Sequence, residues 1–189
     1  MNSNLRKVEK FLNKVLLAKL ERDLLKLRMV KEADLECRVY YHLSHLLMNY
    51  PEWKLFARKY SRHTGRFSDF LLFENEKPRV AIELKWNRSE ISKKDRKSLG
   101  LCIKQLHVNK AYFITTLIGG RKYRRISKEA SEKSYLFELV VQLPLAGSEL
   151  KCWKRERRLY MSQMQPRIRR RDRAVKNKAV RRKRIRGNS

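Results

Sequence analysis

Two short apolar segments separated by five polar residues constrain this chain more than any other feature. The first runs from Arg66 to Phe73 and the second from Arg79 to Trp86. The connector Glu74-Asn75-Glu76-Lys77-Pro78 ends in a proline suited to a turn or to the start of a strand. The pattern predicts a β-hairpin. If the hairpin is symmetric about Glu76, Phe73 faces Arg79, Leu71 faces Ala81 and Asp69 falls opposite Glu83, with Cβ atoms about 5 Å apart. Two carboxylates that close repel each other unless a positive group lies between them, and a divalent cation with oxygen ligands is the usual answer. On the second strand Val80, Ile82, Leu84 and Trp86 share one face, while Arg79, Ala81, Glu83 and Lys85 share the other. That alternation predicts one face in the core and one open to chemistry or solvent. The plain alternative is a half-exposed strand with a Glu/Lys pair on its wet side.

A chain of 189 residues, 42% of them apolar, has room for one core with appendages. Its 48 Lys+Arg against 19 Asp+Glu leave a formal charge of +29, which repels itself unless a polyanion compensates it, so nucleic acid is the leading partner. Residues 151–189 hold 17 of those basic residues and two of the acids, yet the remainder is basic too. An anionic membrane surface competes as partner, but no run approaches the roughly 18 apolar residues of a span. Arg6, Lys7, Glu9, Lys10 and Lys14 interrupt the leucine-rich start, so no signal peptide is expected and the protein is expected to be intracellular, or nuclear in a eukaryotic host. Cys37, Cys102 and Cys152 are odd in number and far apart, which argues against a disulfide framework or a zinc knuckle. His42 and His45 lack a cysteine or carboxylate completion and read as packing or surface residues.

Around the hairpin, three segments are expected, at residues 1–30, 31–150 and 151–189. Residues 3–29 form an amphipathic helix with Leu5, Val8, Phe11, Leu12, Val15, Leu16, Leu20, Leu24 and Leu27 on its apolar side. It could cap the core or pair with a second copy to give a homodimer. A second helix runs from Glu32 to Asn49 and stops before Pro51, with Glu36, Val39, Leu43 and Leu47 along one row. A strand follows over Trp53–Tyr60, with a loop over Ser61–Gly65. After the hairpin, Ser92 and Asp95 open a helix whose Leu99, Cys102, Ile103 and Leu106 share a face and whose polar side carries Gln105. Ala111–Thr116 and Tyr135–Leu143 read as strands, residues 121–133 as a helix, and the chain from Arg155 as a solvated basic tail with room for transient helix. The order predicts an α/β or α+β core in which helices cover a mixed sheet.

Asp69 in Phe-Ser-Asp-Phe and Glu83-Leu84-Lys85 on the next strand, with Glu36 before them and Gln105 after, resemble the PD-(D/E)xK nuclease superfamily. The resemblance covers residues 32–116 and extends toward 143, and it implies a restriction-endonuclease-like fold. Ser68 stands where the family's name has proline. By this resemblance Asp69 and Glu83 bind Mg²⁺, Lys85 assists the attacking water, Glu36 is an auxiliary acid and Gln105 completes the set.

The chemistry is consistent with that resemblance. Phosphodiester hydrolysis needs a positioned water, neutralisation of charge on the phosphorus and help for the departing oxygen. Asp69, Glu83 and the Leu84 carbonyl could supply oxygens to Mg²⁺ (or Mn²⁺), with Glu36 contributing directly or through water. Sequence alone gives Lys85 positioning and electrostatic duty ahead of general-base duty, and Glu32 is the other helix residue able to take the Glu36 role. Arg121, Lys122, Arg124 and Arg125 around Tyr123 could line a phosphate path, as could Arg169, Arg170, Arg171, Arg181, Arg182, Lys183 and Arg184 in the tail. The expected activity is metal-dependent cleavage of duplex or branched DNA, with RNA open as a substrate. A non-catalytic basic nucleic-acid-binding or ribosome-associated protein, and an inactive nuclease-fold module, stay open as alternatives.

Overall fold

A computed structural model describes residues 3–61, 66–119, 136–143 and 145–163. The leucine stripe of the N-terminus forms α1 (Ser3–Lys10), a π-helical turn (Phe11–Leu16) and α2 (Leu17–Leu25), with helical backbone angles at the junctions. Val8, Leu12, Leu16, Leu20 and Leu24 recur every four residues and are all buried. On a regular α-helix such a row drifts by about 40° per step, and the wider π turn absorbs part of that drift. The helix ends four residues before the expected Met29. Leu27 takes a left-handed conformation (φ 55°) and the Arg28 N–H donates to the Asp23 carbonyl, a Schellman closure that turns Met29 and Val30 into the core. Val15, expected on the apolar side, is exposed.

Helix α3 (Glu32–Leu47) is fixed to α2 through Asp23, which is 3% exposed. Its carboxylate meets His42 Nε2 at 2.8 Å, Arg28 at 3.3 Å and Arg38 at 3.8 Å.

Five strands follow in the spatial order β1-β2-β3-β4-β5: β1 (Trp53–Ser61), β2 (Arg66–Glu74), β3 (Lys77–Lys85), β4 (Lys110–Leu117) and β5 (Leu136–Gln142). The first three are antiparallel neighbours, whereas β3-β4 and β4-β5 are parallel. Helix α4 (Lys93–Leu106) connects β3 to β4. As expected, it opens on Ser92, whose Oγ accepts from the Asp95 N–H at 3.1 Å. The structure is therefore mixed α/β, a five-stranded mixed sheet flanked by helices.

Leu71 pairs with Ala81 as the symmetric hairpin requires, but the turn is tighter than the five-residue connector suggested. Only Asn75 and Glu76 form it, both at positive φ, the geometry that matches strand twist in a two-residue hairpin. Phe73 pairs with Pro78 and not with Arg79, because the register shifts between Leu72 and Phe73. Proline has no N–H to give to the ladder, so a shift there is the cheapest accommodation.

The expectation that one face of β3 stays open also changes. Leu71, Ala81, Ala111 and Phe113 form one core with Leu99, Cys102 and Val108, so α4 covers the face that carries Glu83. The opposite face carries Val80, Ile82, Leu84, Tyr112 and Ile114, all buried. Asn13 of the N-terminal helix donates to the Tyr112 hydroxyl at 3.5 Å on that side. A central strand with a parallel neighbour is buried on both faces.

The chain divides into compact units at 1–145 and 146–189, so the N-terminal helix belongs with the sheet. In the second unit a helix, α5, spans 147–163. It therefore continues past Arg155 to residue 163, mostly exposed, through the start of the tail expected to be solvated with transient helix. The expected helix at 121–133 lies outside the described residues. Among the described residues no helix is long and apolar enough to cross a membrane.

Candidate active site

The geometry around Asp69 follows from where the β2-β3 ladder stops. Phe70 and Ile82 are its last paired residues toward the end of β3. One step further the Leu84 N–H donates to Asp69 Oδ2 at 2.7 Å, so a side chain takes the place of a backbone acceptor and the carboxylate is held against β3. Glu83, 8% exposed, lies on the α4-covered face, level with Phe113 of β4. The Lys85 ammonium donates to Glu83 Oε1 at 2.5 Å and to the Leu84 carbonyl at 2.9 Å. Three of the predicted residues are thus brought together, and the lysine head rests on two of the oxygens proposed for a cation.

Burial dominates the electrostatics. It pushes Asp69 above the ordinary carboxylate value, against the Leu84 N–H and Lys85, and the charges of Glu36 and Glu32 add to the rise. Burial, then repulsion by Asp69 and Asp95, lifts Glu83 from 4.5 to about 7 despite its bond to Lys85. For Lys85 burial works in the opposite direction, but the Glu83 bond and the charges of Glu83, Asp69 and Asp95 leave its pKa above the usual lysine value. Lys85 is therefore a firm cation at neutral pH. The Cys102 thiol, on the buried face of α4, is pushed up to about 11 by burial and by Glu83.

The strand end is tied down from two sides. Glu32 on α3 accepts from the Trp86 N–H at 3.2 Å. Beyond it, Asn87 adopts a left-handed conformation (φ 54°) and donates its N–H to Thr116 Oγ1 at 2.9 Å. Thr115 Oγ1 accepts from the Arg88 N–H at 3.2 Å and donates to the Arg88 carbonyl at 3.1 Å. Both threonines are fully buried at the end of β4.

Glu36 is half-buried on α3 and near enough to Asp69 to raise its pKa. Glu32, one turn earlier, acts on Asp69 too and also holds Trp86, a contact that its place on an exposed helix start did not announce. Asp95 was legible only as a cap, yet its charge reaches both Glu83 and Lys85. Gln105 is exposed near the C-terminal end of α4, and the structure does not bring it to the other residues. Arg121, Lys122, Arg124, Arg125, Arg169, Arg170, Arg171, Arg181, Arg182, Lys183 and Arg184 lie outside the described residues.

Among the described residues no three His, Cys, Asp or Glu side chains gather into a metal-holding group. The donor set that fits a cation is two carboxylates and one carbonyl oxygen, Asp69, Glu83 and Leu84. Mg²⁺ keeps several waters and asks for only one or two protein carboxylates. The fit is strengthened because both carboxylates are held above their ordinary pKa values and a cation, the Lys85 ammonium, already rests on Glu83 and the Leu84 carbonyl. No protein-family model, curated protein or solved structure matches the chain.

Proposed function

We propose that this protein is a metal-dependent endonuclease that hydrolyses DNA phosphodiester bonds, built on a restriction-endonuclease-like core. The observation that carries the reading is the convergence of Asp69, Glu83 and Lys85 where β2 and β3 part, with Glu36 and Glu32 of the preceding helix acting on the same site. The element order supports it: a helix, three antiparallel strands, a crossover helix and a parallel strand. A +29 chain also favours a polyanionic substrate.

Asp69, Glu83 and the Leu84 carbonyl would hold Mg²⁺. Bound there, the ion would supply Lewis acidity toward the phosphate and lower the pKa of a water. The Leu84 N–H fixes the orientation of Asp69. Glu36 and Glu32 add negative potential beside it, favouring a dication over the monovalent ions of the medium. Lys85, a cation at neutral pH in the metal-free chain, is assigned positioning and electrostatic stabilisation ahead of general-base duty. Released from Glu83, its ammonium would face the phosphate oxygens and stabilise the charge that grows on them. The buried threonines and Asn87 keep the end of β3 from fraying and so preserve the spacing of these groups.

The test is cleavage of a supercoiled plasmid and of a four-way junction with Mg²⁺ or Mn²⁺. Asp69→Asn, Glu83→Gln and Lys85→Ala are each expected to reduce the rate at least about 100-fold while leaving binding in EDTA intact. Full activity in Glu83→Gln would move the chemistry elsewhere.

A further inference from the structure

Helix α5 carries an organised surface that the nuclease reading does not use. Along residues 147–163 the half-buried and buried positions are Leu150, Trp153, Arg157 and Met161, one face of a helix, and Trp153 is only 4% exposed. Lys151, Lys154, Arg155 and Arg158 recur at i, i+3, i+4 and i+7 and are all exposed. They form a cationic stripe about 10.5 Å long at 1.5 Å per residue. A nucleic-acid strand presents about three phosphates over that length. Glu156 is kept off the stripe and lies beside Cys152, whose thiol is 3.7 Å from its carboxylate. Among the described residues no carboxylate forms an ion pair with any of the four.

We infer that Lys151, Lys154, Arg155 and Arg158 form a binding surface for the phosphate backbone of nucleic acid, independent of the catalytic site. Four cations in one row, spaced at helical intervals, match a line of phosphates better than a single anion. Basic amphipathic helices also bind anionic membranes, but that mode needs a free apolar face to enter the bilayer. Here the centre of the apolar face, Trp153, is buried, and the exposed apolar side chains Leu159 and Tyr160 come only past Arg158 at the C-terminal end of the helix, so no continuous free apolar face accompanies the four cations. The surface reads no bases: backbone contacts set position and affinity and leave sequence preference to other elements.

Binding of a 24-base-pair duplex by full-length protein across a salt series in EDTA tests the inference with catalysis switched off, so its failure is separable from failure of the nuclease reading. The variant Lys151→Gln/Lys154→Gln/Arg155→Gln/Arg158→Gln is compared with a charge-matched control, Lys10→Gln/Lys14→Gln/Arg22→Gln/Lys26→Gln, drawn from exposed positions of the N-terminal helix. Each phosphate contact contributes about −0.9 to the slope of log K against log salt. The stripe variant should flatten that slope by about 3 units, and the control by less than about 1. Circular dichroism checks that the helix persists, and the double variant Lys151→Gln/Arg155→Gln, expected to remove about half the effect, serves if it does not. Equal slopes for stripe variant and control would overturn the inference. So would stripe-dependent binding to phosphatidylserine vesicles without a matching loss on duplex.

Discussion

Replacing Glu83 by glutamine in the metal-free protein should remove a loss of stability that the wild type suffers as pH rises. In the folded chain Glu83 keeps its proton up to about pH 7, and once unfolded it loses it near 4.5. Below 4.5 both states are protonated and Glu83 carries no electrostatic penalty. Between those values the folded state holds more protons, so stability falls as pH rises, and above about 7 the full penalty stands. A shift from 4.5 to about 7 corresponds to about 3 kcal/mol at about 1.4 kcal/mol per pH unit. The attraction of Lys85 is already contained in that net rise and needs no separate subtraction. Between pH 4.5 and 8.5 the wild type should therefore lose about 3 kcal/mol more than Glu83→Gln, or about 6–12 °C in Tm for a protein of this size. Thermal and urea unfolding in EDTA across that range measure it. Mg²⁺ at a hundred times its Kd should return about 2.7 kcal/mol to the wild type above pH 7 and nothing to the variant. Parallel pH profiles for the two proteins would refute the reasoning, since they would mean that Glu83 is neither desolvated nor repelled by Asp69.

Lys85→Met should bind Mn²⁺ about tenfold more tightly than wild type at pH 8.5, a gain of about 1.4 kcal/mol, because the ammonium no longer rests on Glu83 and the Leu84 carbonyl. Calorimetry showing unchanged or weaker binding would count against that competition. A thiol reagent at pH 8 should label Cys37 and Cys152 rapidly, both being exposed, and reach the buried Cys102 only on unfolding, so three fast thiols would contradict its burial against Glu83. Asp23→Ala should cost about 3 kcal/mol or more by urea denaturation, since it strips the buried partner from His42, Arg28 and Arg38 at the α2-α3 junction.

The hairpin and its carboxylates were legible because a period of two and a polar turn are local signals. The Leu71–Ala81 register follows from them directly, and the Ser92 cap from an equally local signal, the spacing of Ser92 and Asp95. What the sequence hid is tertiary in origin. Pro78 shifts the ladder only once Phe73 is set opposite it. The face of β3 that carries Glu83 alternates as though half exposed, yet α4 closes over Ala81, which no pattern within β3 encodes. Glu32 looked like an ordinary helix start until the crossing of α3 brought it to Trp86. At Asp95 the capping role masked the longer reach of its charge. The end of the first helix was misplaced because Leu27, a residue that rarely accepts positive φ, supplies the left-handed turn that glycine usually provides.

The distribution of charge explains why so basic a chain would keep carboxylates where it does. Asp69, Glu83, Glu36, Glu32 and Asp95 act on one another or on Lys85, five of only 19 acids. On the proposed reading, a uniformly positive surface would hold the polyanion but repel the dication that its cleavage requires. On that reading an acidic cluster within a basic chain satisfies both demands, because beyond about 8 Å at physiological salt its field is screened and the basic exterior governs approach. Inside that distance the carboxylates act, and the Lys85 ammonium on Glu83 supplies the chain's own counter-charge. On the proposed reading, the same lysine that steadies Asp69 and Glu83 at rest becomes the group that meets the phosphate once a dication takes its place.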